Sequence, residues 1–175
     1  AAAVPPGETG AALAGAALEA PPGFEVAMVL EVLQMVADDV AAVEGDAAIE
    51  TLSPADADEM LALTDLTRPG PFARRTIAMG DYFGIRAEGR LIAMAGQRLN
   101  LPRHREVSAV CTHPDHLGRG HARRLVSEVA RRILAEGKTP FLHVVPGNES
   151  AIAVYRKLGF APRRHLVFTV LRRLP

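Results

Sequence analysis

A mixed α/β sheet is the fold class this sequence predicts, and three observations predict it. Residues 107–124 pass from a short apolar run, through a turn carrying Pro114, Gly118 and Gly120, into a segment with apolar residues at Ala122, Leu125, Val126, Val129 and Ile133. Offsets of three, four and seven mark one face of an amphipathic helix, so a strand here feeds a helix. A second short apolar run, residues 140–145, follows Gly137, so the helix crosses over between neighbouring parallel strands. Residues 81–86 and 91–99 flank Ala87-Glu88-Gly89-Arg90 as a hairpin, which adds antiparallel partners.

Taken in order, residues 1–22 are rich in Ala, Gly and Pro and read as either a short helix or a loosely held arm. Residues 24–36 fit two patterns. Phe24, Val26, Met28 and Leu30 alternate as in a strand, while Val26, Val29, Leu30, Leu33 and Val36 fit a helix; a strand pair is the expectation. An acidic loop at residues 38–46 places a boundary near Gly45, between an N-terminal extension (residues 1–45) and the main domain (residues 46–175). Residues 48–52 form the first strand of that domain. Ser53 then caps a helix with Pro54 at its first position, running to about Leu66. Thr67-Arg68-Pro69-Gly70-Pro71 breaks it, and residues 72–79 form a second short helix before the hairpin. The next strand spans residues 105–113, and the helix from Gly120 ends at Gly137. After the strand at residues 140–145, Asn148 caps a helix over residues 151–158, Gly159 ends it, and residues 163–171 form the last strand.

The chain has 175 residues, 49% of them apolar, which suits one globular domain with a sizeable core. No apolar run is long enough to cross a bilayer, and the alanine-rich start lacks the basic region of a signal peptide, so no membrane partner is expected. The single cysteine, Cys111, excludes an internal disulfide and fits a reducing cytoplasm. Mid-strand among apolar residues, it reads as a buried small hydrophobe. Net charge is zero but divided: residues 1–67 carry thirteen Asp and Glu and no Lys or Arg, whereas residues 68–175 carry all twenty Lys and Arg with seven acids. Either the halves attract each other within one fold, or the basic half faces a polyanion. Nucleic acid does not fit, because the arginines interleave with an apolar helix face and no aromatic platform accompanies them. Nothing here sets the oligomeric state, and a homodimer is compatible with it.

A glycine-bearing turn at a helix N-terminus leaves unpaired backbone N–H groups at the positive end of the helix dipole, where a phosphate is the natural guest. The spacing is not that of a P-loop, since no lysine or hydroxyl follows Gly120, nor that of a dinucleotide fingerprint, since position 123 is Arg. Leu117-Gly118-Arg119-Gly120-His121-Ala122 instead resembles motif A of the GNAT superfamily of N-acetyltransferases, Gln/Arg-x-x-Gly-x-Gly/Ala, a loop that binds the pyrophosphate of acetyl-coenzyme A. Residues 148–160, from Asn148 through Ala151 and Tyr155 to Gly159-Phe160, resemble the family's motif B, Asn-x-x-Ala-x-x-x-Tyr-x-x-x-Gly-Phe. Asp115 stands where the family has Gln or Arg, but the binding N–H groups belong to the backbone and survive the change. Within the superfamily the chain resembles the branch containing glycine N-acyltransferase. This resemblance implies a mostly antiparallel mixed sheet with flanking helices and a splayed pair of central parallel strands. It also implies acetyl transfer from acetyl-coenzyme A to a primary amine, a small amino compound in preference to a peptide or protein.

The same resemblance implies the site. The backbone of Val110, Cys111 and Thr112 lies along the pantetheine arm, and Pro114 and Pro146, each past a strand end, suit a parting of strands there. Leu117, Gly118, Arg119, Gly120, His121, Ala122 and Arg123 meet the pyrophosphate, Asn148 contacts the coenzyme, and Tyr155 protonates the departing thiolate. The other reading of Tyr155 is packing between helix and sheet. For the base, His143 stands where some members place a glutamate, and imidazole titrates in a suitable range. Its alternative is a neutral core histidine. Glu106 is the second base candidate, its alternative an exposed charge at a strand end. His113 and His116 flank Pro114 while His121 opens the helix, so no metal site is expected. The rival to an enzyme is a non-catalytic acyl-coenzyme A binding or sensing module that keeps the loop without turnover.

Overall fold

The computed structural model describes residues 4–175. In chain order its elements are β1 (Thr9–Ala14), β2 (Phe24–Val36), β3 (Glu50–Leu52), α1 (Ala57–Thr67), β4 (Tyr82–Ala87), β5 (Arg90–Asn100), β6 (His104–Thr112), α2 (His121–Ala135), β7 (Thr139–Val144), α3 (Glu149–Lys157) and β8 (Ala161–Arg173). The fold is α/β, with an eight-stranded, mostly antiparallel sheet in which β6 and β7 are parallel. Two compact units make up the chain. One runs up to Met35 and takes in His143–Ile152 and Pro162–Pro175; the other comprises Val36–Leu142 and Ala153–Ala161.

In the first unit β1 pairs antiparallel with β8, from Thr9 opposite Arg172 to Ala14 opposite Val167. Its core is Val32, Leu166 and Phe168, with Leu13, Leu30 and Val170 packed on them. The helix or arm expected within residues 1–22 is thus a strand, and residues 1–3 lie outside the described residues. Gly10 and Gly15 weaken the helix that alanines favour, and the edge of β8 supplies the backbone partners. Residues 24–36 are one continuous strand and not a pair, because no Gly, Pro, Asn or Asp interrupts the run to make a turn.

The second unit carries β3 to β6, α1, α2 and most of β7. Ser53 caps a short turn ahead of α1 and not α1 itself, which starts at Ala57: the Ser53 N–H donates to the Asp56 carboxylate at 2.8 Å, and its Oγ accepts from the Ala55 N–H at 3.2 Å. This reciprocal cap holds a 3₁₀ turn, Pro54–Asp56, that leads into the helix. The helix α2 turns Leu125, Val126, Val129 and Ile133 inward, as its periodicity predicts. The core includes Leu52, Met60, Leu63, Tyr82, Leu91, Met94 and Cys111. Part of the charge division is answered here, since Arg86 pairs with Asp56 and Glu59 at 2.6 Å and with Glu50 at 3.3 Å, and Arg74 pairs with Asp58. Among the described residues no helix is long and apolar enough to cross a membrane.

Candidate active site

Gly118 and Gly120 have φ of +73° and +78°, and nothing lies within 4 Å of where a Cβ would stand on either. Glycine is needed there for the left-handed backbone, not for lack of room. The preceding turn is internally bonded: the Asp115 N–H donates to His113 Nδ1 at 3.2 Å and the Leu117 N–H to the Pro114 carbonyl at 3.3 Å. Among the described residues the N–H groups of Gly118, Arg119 and Gly120 make no hydrogen bond. Free donors therefore begin where the loop turns into α2, and the first helical turn adds its own. A hollow of about 320 Å³ adjoins them, lined by residues 43–47 with Arg119, Gly120, His121, Arg123 and Arg124. The Asp115 side chain is 83% exposed, so water screens its charge from the loop.

Arg124 Nη2 donates to the carbonyls of Gly45 and Ala47, each at 2.7 Å, so this guanidinium ties the acidic segment to α2. Arg119 and Arg123 are exposed. Burial, with the nearby Arg124 and Arg119 guanidinium groups and His116, holds His121 below the usual histidine range. Among the described residues no three of His, Cys, Asp and Glu gather as metal ligands.

The strand β6 joins β7 in a parallel ladder from His104 opposite Thr139 to Glu106 opposite Phe141. Beyond that, residues 107–112 keep their pairing with β5, which leaves Val110, Cys111 and Thr112 an edge for another partner. Between the pairs Gly96–Ser108 and Met94–Cys111 the strand carries one extra residue, and Ala109 there has φ +52°. This is a bulge on an alanine, in a conformation that costs non-glycine residues of the order of 1–3 kcal/mol. Alanine carries no left-handed preference, so the sequence held no signal for it. Burial pushes the Cys111 thiol up to about 11, which suits the buried hydrophobe and not a nucleophile.

Tyr155 is 8% exposed, stacks edge-on against Phe160 with ring centres 6.2 Å apart, and burial pushes its phenol up to about 12. Asn148 Oδ1 accepts from the Ala151 N–H and the Ser150 hydroxyl, each at 3.1 Å, and so caps α3. Glu106 is 1% exposed and held by Arg98, whose Nε and Nη2 each lie 2.9 Å from a carboxylate oxygen. It is therefore not the exposed strand-end charge of its alternative reading. His143 Nε2 lies 3.1 Å from the side-chain nitrogen of Gln34. The loop, the β6 edge, Glu106 and Tyr155 belong to one unit, His143 and Asn148 to the other.

Comparison with known proteins decides the family. The model of the FR47-like protein family matches residues 82–169, half of the chain. A crystal structure assigned to the GNAT family of acetyltransferases, from Novosphingobium aromaticivorans DSM 12444, is 39% identical over 97% of this chain and 76% of its own, with a TM-score of 0.88. The chain belongs to the GNAT family. The N-alpha-acetyltransferase RimI of Mycobacterium tuberculosis is 38% identical over 82 residues, covering 45% of this GNAT chain and 51% of RimI. An uncharacterised protein of Mycobacterium leprae is 35% identical over 123 residues, 64% of this chain and 34% of its own. The chain thus spans about a third of one curated relative and half of the other.

Three buried groups of this GNAT chain give it an alkaline limit. Burial raises Tyr82 and Tyr155 to about 12 and Cys111 to about 11. Raised values mean that their contribution is complete below the unfolded-chain values, about 8.5 for Cys and about 10 for Tyr, and is lost as pH climbs through the folded ones. The urea midpoint should therefore fall from about pH 9 upward, and Tyr155→Phe should flatten the fall above about pH 10. A midpoint constant to pH 12 would show that these groups ionise as readily folded as unfolded.

Proposed function

We propose that this chain transfers the acetyl group of acetyl-coenzyme A to a primary amine, with residues 46–175 carrying the chemistry and residues 1–45 preceding them as an extension. One observation carries the reading. At the start of α2, among the described residues, two left-handed glycines leave a run of unpaired N–H groups, and nothing lies within 4 Å of where a Cβ would stand on either glycine, which suits a pyrophosphate. In this reading Leu117, Gly118, Arg119, Gly120, His121, Ala122 and Arg123 hold the pyrophosphate, and the backbone of Val110, Cys111 and Thr112 bonds the pantetheine arm along the free edge of β6. Asn148 contacts the coenzyme.

Transfer forms a C–N bond to the amine and breaks the thioester C–S bond; the amine gives up a proton to a base and the departing thiolate takes one from an acid. Tyr155 is the acid, since a phenol pushed up to about 12 stays protonated at neutral pH. Glu106, held by Arg98, and His143 are the two candidates for the base.

The acceptor we favour is a small amino compound, in keeping with the glycine N-acyltransferase-like branch. The match to RimI, named as an N-alpha-acetyltransferase, favours a second reading in which the amine is a peptide N-terminus. We place the protein in the cytoplasm, as a monomer or homodimer, where its one cysteine stays a thiol. The test is release of free coenzyme A thiol from acetyl-coenzyme A over a panel of amino acids, small amines and short peptides. Turnover with the small compounds supports the first reading, and turnover with peptides only supports the second. Binding without turnover across the panel replaces both with a sensing module.

A further inference from the structure

Gln34, on β2, is 8% exposed, and a buried amide must find partners for both its ends. Its Oε1 accepts from Arg163 Nη1 at 2.7 Å and Arg164 Nε at 3.4 Å. Arginine carries donors only, so the oxygen has to face the two guanidinium groups and the NH₂ has to face away from them. What lies on that side is His143 Nε2, at 3.1 Å. An NH₂ group has only protons to offer, so Nε2 must be the accepting nitrogen and the proton of the neutral ring must sit on Nδ1. A proton on Nε2 would set two donors against each other, with the charges of Arg163 and Arg164 on β8 behind the amide.

We propose that Gln34 is a positioning residue that fixes the tautomer of His143, with Nε2 accepting from the amide and the ring proton on Nδ1, and so removes Nε2 from the role of general base. The lock itself is independent of the transferase reading; its consequence for catalysis rests on that reading. In the locked state the Nε2 lone pair is turned toward Gln34 and is not available to an incoming amine. His143 then serves as a fixed donor, and proton acceptance falls to another group.

The experiment is a long-range proton–nitrogen NMR spectrum of the full chain labelled with ¹⁵N-histidine at pH 7, the His143 signals being assigned by their loss in His143→Gln. The expected result is a protonated Nδ1 with Nε2 in the unprotonated range. A His143 ring carrying its proton on Nε2, or protons on both nitrogens, overturns the proposal. Gln34→Glu supplies an acceptor where the NH₂ stood while leaving an oxygen for the arginines, and should shift the ring proton to Nε2. An unchanged ring spectrum in a folded Gln34→Glu shows that Gln34 sets nothing, and if that variant does not fold the wild-type spectrum still decides. With an amine the wild type accepts, His143→Gln should keep the acid limb of the kcat/KM profile and lose less than the roughly 10²-fold that removal of a general base brings. Loss of that limb overturns the proposal. A wild type that turns over no amine removes the transferase reading, and the spectra still test the lock.

Discussion

Tyr155→Phe is expected to lower kcat by about 10²- to 10⁴-fold while leaving acetyl-coenzyme A affinity unchanged. The phenylalanine keeps the ring and its edge contact with Phe160, so only the hydroxyl is lost. A proton donor to the leaving sulfur matters only as the C–S bond breaks, which is why the loss should appear in kcat and not in binding. Removing a buried hydroxyl should also leave the melting temperature close to that of the wild type. The measurement is steady-state kinetics with an accepted amine, paired with coenzyme titration. Equal turnover in the two proteins removes Tyr155 as the acid and returns it to a packing role between helix and sheet.

Gly96→Ala is expected to damage the core of the second unit severely, costing roughly 3 kcal/mol, at the upper end of overpacking effects. Its Cβ would stand 2.2 Å from Cδ1 of the Tyr82 ring and 2.5 Å from Cγ and Cε1. These are ring atoms of a side chain that is 1% exposed and packed edge-on against Phe72, with ring centres 5.7 Å apart, so no flexible end can yield. A thermal melt should show a loss of roughly 10 °C. In a Tyr82→Leu background the same alanine should cost clearly less, because the colliding ring is gone. Additive losses in the double variant would place the damage elsewhere.

What was legible in the sequence was local. The glycine turn before α2, α2 itself and α3 each announce themselves within a dozen residues, through glycines, caps and a single apolar face, and the structure has a turn and two helices there. Features that depend on distant partners were not legible. The strand β1 has no apolar period of its own and forms because β8, far along the chain, offers an edge. For Glu106 an exposed strand-end charge stayed open as a reading, because its partner Arg98 stands beside it only once β5 and β6 are paired. The bonds from Arg124 to the carbonyls of Gly45 and Ala47 were equally hidden, because those residues lie far from it in the chain. The bulge at Ala109 and the pairing of Gln34 with His143 carry no sequence signature, since alanine and glutamine fit many places.

The claim on which the account rests is that the backbone of residues 117–123 holds the pyrophosphate of acetyl-coenzyme A. Calorimetric titration of acetyl-coenzyme A into wild type and Gly120→Val tests it most directly. A Cβ at position 120, φ +78°, would meet no neighbour within 4 Å, so the fold should persist. The cost of valine is local: about 1–2 kcal/mol to hold a left-handed backbone, with a branched side chain where the phosphate would approach. Gly120→Val is expected to bind at least about tenfold more weakly and Arg119→Ala to lose less, with the melting temperature of ligand-free Gly120→Val lowered by only roughly 2–8 °C. Wild-type affinity in a folded Gly120→Val would contradict the claim.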